Sequence, residues 1–124
     1  MARGVIPATA ARRGRAFEWR VRAVLEQAGW RVIRSAGSRT PVDLVAWAPT
    51  GRCWFVQCKG RTGGVWGADR VAWLDWADQA AADPVLARPF GLQGIRWQVW
   101  DRMAGRWQIV DPAVPPVVRH PWRG

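Results

Sequence analysis

The chain has 124 residues, with 19 Lys+Arg against 9 Asp+Glu and a net charge of +10, which suits one domain or one domain plus a tail. At 49% hydrophobic and 23% charged it is a folding chain rather than a basic disordered tail, and its charge points first to a polyanion. With one histidine, His120, and two cysteines, a His-dependent triad or His-rich zinc site has a single residue to draw on.

Cys53 and Cys58 sit five apart in a predicted strand, roughly 16 Å if extended, too far for a disulfide. No secretory signal precedes them, and no apolar run approaches the ~20 residues that span a bilayer. A soluble, cytoplasmic protein with no membrane partner is therefore expected. Of the 19 basic residues, 18 are arginine and one is Lys59; Ser35 and Ser38 are the only serines.

In chain order, residues 1–8 lack periodicity and read as a basic arm, and Thr9 suits a helix N-cap. A helix runs from there to Ala28, with Phe17, Val21, Val24, Leu25 and Ala28 on its apolar face and Gly29 as its stop. Arg12, Arg13, Arg15, Arg20 and Arg22 occupy its other faces. Trp30–Arg34 reads as a short strand, followed by a small-residue turn, Ser35-Ala36-Gly37-Ser38. Strands are predicted over Val42–Ala48 and Cys53–Lys59, joined at Pro49-Thr50-Gly51. Residues 60–68 hold four glycines and read as a mobile loop. A helix over Asp69–Ala82, a strand over Val85–Arg88 and a hairpin with arms Ile95–Arg102 and Trp107–Val110 complete a domain over residues 1–111. Residues 112–124 read as a Pro-rich tail. The order α, β, β, β, α, β and a late hairpin predicts an α/β sandwich around a mixed sheet.

The turn at Pro49-Thr50-Gly51 sets a register. Proline suits the first central position of a type I turn and glycine a following left-handed residue, making a three-residue hairpin loop with a bulge. Paired positions then sum to 100, placing Asp43 opposite Gln57, and alternation puts Asp43, Gln57 and Lys59 on one face. Opposed Cβ atoms lie ~4.5–5.5 Å apart, close enough for two oxygens to share a small cation. Mg²⁺ takes hard oxygen ligands and retains waters, so a carboxylate, an amide oxygen and a backbone carbonyl suffice. Both faces of the hairpin are otherwise apolar, which makes it central in the sheet.

Gly29-Trp30-Arg31-Val32-Ile33-Arg34-Ser35-Ala36-Gly37-Ser38, then Val42-Asp43-Leu44-Val45-Ala46, then Val56-Gln57-Cys58-Lys59 resembles the archaeal-type Holliday junction resolvases (Hjc) of the PD-(D/E)XK nuclease superfamily. The resemblance spans about residues 14–90 and implies a restriction-endonuclease-like fold. It implies that Glu18, Asp43, Gln57 and the Cys58 backbone carbonyl surround a metal, that Lys59 positions or polarises water, and that Ser35 and Arg34 lie at phosphate. Gln57 stands where the family's ExK motif is usually acidic; an amide oxygen can ligate Mg²⁺ without contributing charge. On the helix alone, Glu18 is equally placed for an i,i+4 pair with Arg22.

The implied activity is metal-assisted phosphodiester hydrolysis of a four-way DNA junction, with Mg²⁺ (or Mn²⁺) and no small-molecule cofactor. Two symmetric cuts with one site per chain imply a C₂ homodimer. Trp73 and Trp76 on the second predicted helix offer an interface, or equally a pair packed on their own sheet. Residues 1–34 carry eight Arg and two Glu. Arg12, Arg13, Arg15, Arg20, Arg34 and Arg61 are the expected DNA contacts, with salt-sensitive, sequence-independent binding. The alternatives are another nuclease of the superfamily, preferring linear or flapped DNA, and a junction-binding protein that Gln57 has weakened as a catalyst.

Overall fold

The computed structural model describes residues 10–35 and 39–113. The expected basic arm, the Thr9 cap, Ala36-Gly37-Ser38, His120 and the tail beyond residue 113 lie outside the described residues. The elements are α1 (Ala10–Gln27), β1 (Arg31–Arg34), β2 (Leu44–Trp47), β3 (Cys53–Cys58), α2 (Gly67–Gln79), β4 (Asp83–Phe90), β5 (Gly94–Asp101) and β6 (Arg106–Ile109). All six strands form one sheet in chain order. Only β3 and β4 run parallel, joined by the α2 crossover; every other pair is antiparallel. The expected α/β fold with a mixed sheet is what forms.

α1 buries Phe17, Val21 and Leu25, spaced by four, which puts them in one stripe on the sheet. Val24, expected on that face, is exposed at its margin. The helix stops where Gly29 takes a φ of 98°. The Gly29 amide then donates to Glu26 O and that of Trp30 to Leu25 O, both at 3.0 Å. These two bonds satisfy carbonyls of the last turn, while Trp30 and Leu25 join the core, as such a glycine cap favours.

Side-chain alternation divides the interior into two cores, one on each face of the sheet. On the α1 face lie Leu44, Ala46, Trp54, Val56, Val85, Ala87 and Trp97; Trp54 sits 4.5 Å from Trp30 and 6.0 Å from Trp97, ring centre to ring centre. On the α2 face lie Val42, Val65, Trp73 and Leu86, with Phe55, Leu74 and Trp107 packed against them. The β2–β3 register is the predicted one: Leu44 pairs with Val56 and Trp47 with Cys53. Gly51, at φ 91°, and a bond from its amide to Ala48 O at 2.9 Å make the turn.

Several predicted bounds need correction. The second helix spans Gly67–Gln79 instead of Asp69–Ala82. It closes early because Ala81 adopts φ 52° and the Ala81 and Ala82 amides bond back to Asp78 O and Ala77 O. This is the cap that glycine makes at the end of α1, here built on a residue carrying no turn signal. β4 extends beyond Val85–Arg88 to include Pro84 and Pro89, each near a strand end, where a missing amide donor costs little. The loop after β3 is anchored, since Val65 is buried and the Arg61 side chain donates to Gly91 O at 2.6 Å. Trp73 is no interface residue: it is fully buried and its indole N–H donates to Phe55 O at 3.0 Å. Pro112, at the start of the predicted tail, accepts a bond of 2.6 Å from the Trp30 indole.

Candidate active site

The expected site residues gather where β2 begins and β3 ends. The ladder between these strands runs to the Leu44–Val56 pair. One residue further, Val42 packs on the α2 side with Val45, three positions along, so strict alternation is broken between them. In an unbroken ladder the Cys58 amide would meet Val42 O. Instead Thr40 Oγ1 donates to Val42 O at 2.9 Å, and Asp43 Oδ2 accepts the Cys58 amide at 2.7 Å. A carboxylate thus replaces a peptide carbonyl at the end of the sheet. Amide and carbonyl of one strand residue point the same way, so the Cys58 carbonyl opens toward this gap too.

Burial holds the Asp43 carboxyl above the usual carboxylate range. The Cys58 amide lowers it again, Glu18 raises it, and Lys59 and Arg34 lower it. Residues from α1, β1, β2 and the end of β3 therefore share one electrostatic neighbourhood. Burial, reinforced by Asp43 and Glu18, pushes the Cys58 thiol well above its ordinary value.

Gln57 departs from the expected arrangement. It is buried, and its amide nitrogen donates to Pro41 O. No hydrogen bond joins it to Asp43 among the described residues; Asp43 is held by the Cys58 amide and Gln57 by the Pro41 carbonyl. With its nitrogen committed, the amide presents its oxygen as the remaining donor to a cation.

Glu18 pairs with Arg34 (Nε to Oε1, 3.0 Å) and not with Arg22, which pairs with Glu26 at 3.5 Å. The Glu18–Arg34 bond closes α1 onto β1 beside the site. Ser35 Oγ lies 2.6 Å from Thr40 Oγ1. Because the Thr40 proton goes to Val42 O, Ser35 donates to Thr40. Thr40 is the residue that sequence reasoning missed; a threonine four positions before β2 is a weak signal, explained only by the Val42 carbonyl it satisfies.

Among the expected DNA-binding arginines, Arg12, Arg13 and Arg15 are exposed on α1. Arg20 is bound to the β4–β5 turn through Gln93 O (2.7 Å) and Gly94 O (3.3 Å), Arg61 to Gly91 O in the same turn, and Arg34 to Glu18. A cleft of about 490 Å³ lined by Arg13, Phe17, Cys58, Lys59, Arg61 and Pro89 opens between α1 and the end of β3. A larger groove, lined by Trp30, Arg31, Trp47 and Gly51, lies at the other end of the β2–β3 hairpin, away from Asp43.

The chain matches the archaeal Holliday junction resolvase (hjc) family over residues 9–109. It belongs to that family. The match takes in both helices and all six strands, and with them Glu18, Asp43, Gln57 and Lys59. The fold is similar to that of Archaeoglobus fulgidus Hjc, a Holliday junction resolvase from an archaeal hyperthermophile, with 26% identity, a TM-score of 0.57, and 66% of this chain and 72% of that chain covered. The expected restriction-endonuclease-like architecture is thereby met. No curated protein sequence matches the chain. No described helix is long and apolar enough to cross a membrane.

Proposed function

We propose that this chain resolves four-way DNA junctions by hydrolysing one phosphodiester bond in each of two opposed strands, with a divalent cation, Mg²⁺ or Mn²⁺, at Asp43. The observation that carries this reading is the half-buried Asp43 carboxylate, placed by the Cys58 amide within electrostatic reach of both Glu18 and Lys59 in a chain of the resolvase family. The donors fit a hard cation: one carboxylate, the Gln57 amide oxygen and the Cys58 carbonyl, with Glu18 adding negative charge while bound to Arg34. Among the described residues no three His, Cys, Asp or Glu side chains cluster as a metal site, so waters would complete the shell. A bound divalent ion lowers the pKa of water and offsets charge growing on phosphate.

The protein's own groups have distinct tasks. Asp43 holds its position through the Cys58 amide. Lys59 adds a positive charge beside the oxygens of the reacting phosphate. Ser35, with its hydrogen directed to Thr40, ties the end of β1 to the segment that leads into β2. Arg12, Arg13 and Arg15 track the phosphate backbone, and Arg20 and Arg61 brace the β4–β5 turn beneath it. Two symmetric cuts call for a C₂ homodimer, acting in the compartment that holds the DNA.

The test is incubation of labelled junction, duplex and flap DNA with the full chain, with and without Mg²⁺. Paired nicks confined to the junction and to Mg²⁺ are expected, and Asp43→Ala or Lys59→Ala should abolish them while binding persists. Cleavage of duplex or flap at the junction's rate, or an Asp43→Ala variant as active as the parent, overturns the reading.

The engagement of Gln57 with Pro41 O favours one alternative, a junction binder with little catalysis. Gln57→Glu separates the two. It loses the donor to Pro41 O, at about 1–3 kcal/mol of stability without metal. Where weak metal binding limits cleavage, the Mg²⁺ midpoint falls and cleavage rises; a binder that lacks other machinery gains nothing.

A further inference from the structure

Lys59 and Arg88 lie on adjacent strands that are distant in the sequence. In the parallel register Gln57 pairs with Leu86 and Cys58 with Ala87, and the Lys59 amide donates to Ala87 O at 3.0 Å. The next positions in line are Lys59 and Arg88, on neighbouring chains spaced by about 4.8 Å. Alternation puts Arg88 on the same face as Leu86, the α2 face of the sheet, while Lys59, one residue past β3, lines the cleft at this end of the sheet beside Pro89.

Neither cation forms an ion pair among the described residues, although Lys59 feels the Asp43 carboxylate at longer range. Both are half-buried, and among the described residues no carboxylate oxygen lies within 4 Å of either. Arg88 donates from Nη2 to the neutral Oε1 of Gln98 at 3.1 Å, and its Nε is shielded with no hydrogen-bond partner among the described residues. By contrast, Arg22, itself half-buried, and the exposed Arg34 and Arg102 each have a carboxylate. Two unpaired cations side by side repel, and partial burial without a counter-ion costs desolvation. An anion that bridges them relieves both costs. The planar guanidinium, held at one nitrogen by Gln98, has further donors in a fork that matches phosphate oxygens.

We propose that Arg88 is a positioning residue for the substrate, binding a backbone phosphate of the DNA together with Lys59. The proposal rests on the nuclease reading for the identity of the anion. Its own content is the added phosphate contact from β4, which orients the strand being cut.

The experiment measures binding of an unlabelled-site four-way junction over a salt series, for the full chain and for Arg88→Gln, Arg88→Lys and Gln98→Ala. Arg88→Gln is expected to weaken binding roughly tenfold and to reduce the slope of log K against log salt by about 1, the share of one phosphate contact. Arg88→Lys should keep the slope, and Gln98→Ala, which removes only the intramolecular bond, should keep it too. A merely structural arginine would lower affinity at every salt concentration with the slope intact, and that result overturns the proposal. A measurement without substitution accompanies it: junction DNA should protect Arg88 of the parent chain from an arginine-modifying dicarbonyl, and equal modification with and without DNA overturns it as well. Failure of the parent to cut in Mg²⁺ would instead fall on the nuclease reading, while the slope and the protection still judge the phosphate contact.

Discussion

At the scale of single residues, the site trades stability for charge. The Asp43 carboxyl titrates above its ordinary value of 3.8 because burial disfavours its ionised form. The native state therefore holds this proton more tightly than the unfolded chain. Stability from this group is greatest below pH 3.8 and is lost as pH rises through the folded value. Asp43→Asn, which keeps an oxygen for the Cys58 amide, should raise Tm near neutral pH, with the gain shrinking toward about pH 3 and cleavage abolished. Thermal melts of both proteins across pH check this; an Asn variant less stable than the parent at neutral pH would contradict it. Divalent cation should narrow the difference by stabilising the parent alone. Such a penalty at a reacting group is the usual cost of a site held ready for a charged ligand.

At the scale of elements, the two helices end on the same pair of backbone bonds with different residues. Gly29 takes φ 98° at no steric cost, whereas Ala81 takes φ 52° with a Cβ that crowds the following carbonyl. Ala81 is exposed, so its methyl group returns little by packing. Ala81→Gly is expected to stabilise the fold by about 1 kcal/mol, read as a higher denaturant midpoint at unchanged m-value. Activity should be unaffected, since the α2 terminus lies away from Asp43. The β2–β3 hairpin is the opposite case, in which local chemistry agrees with the fold. Pro49 and Gly51 specify the turn, the turn specifies the register, and the register brings Asp43 to the end of β3.

At the scale of the whole molecule, a charge of +10 on 124 residues is carried almost entirely by arginine. Arg20 and Arg61 bond to backbone and arrange loops, and Arg12, Arg13 and Arg15 are exposed on α1. Junction binding should accordingly weaken steeply with salt and show little dependence on base sequence, as competition with unrelated duplex over a salt series would reveal. In the same preparations, light scattering should give a dimer, since one chain carries a single site. A monomer that still makes paired cuts would exclude the symmetric arrangement.

Element order, fold class and the hairpin register were legible in the chain. Each rests on local rules: apolar period, turn chemistry and strand alternation act over a few residues and hold in any surroundings. Other features were decided by tertiary structure. Glu18 was as well placed for Arg22 as for Arg34; the docking of α1 on β1 chose the latter. Trp73 fits a partner's surface and its own sheet equally by pattern, and the Phe55 carbonyl settled it inward. Gln57 met Pro41, and Thr40 was drawn in by a carbonyl left over where alternation breaks. The alignment of Arg88 with Lys59 needs a parallel pairing across a helical crossover, and such pairings follow from how helices and sheet bury apolar surface together, which no local pattern encodes.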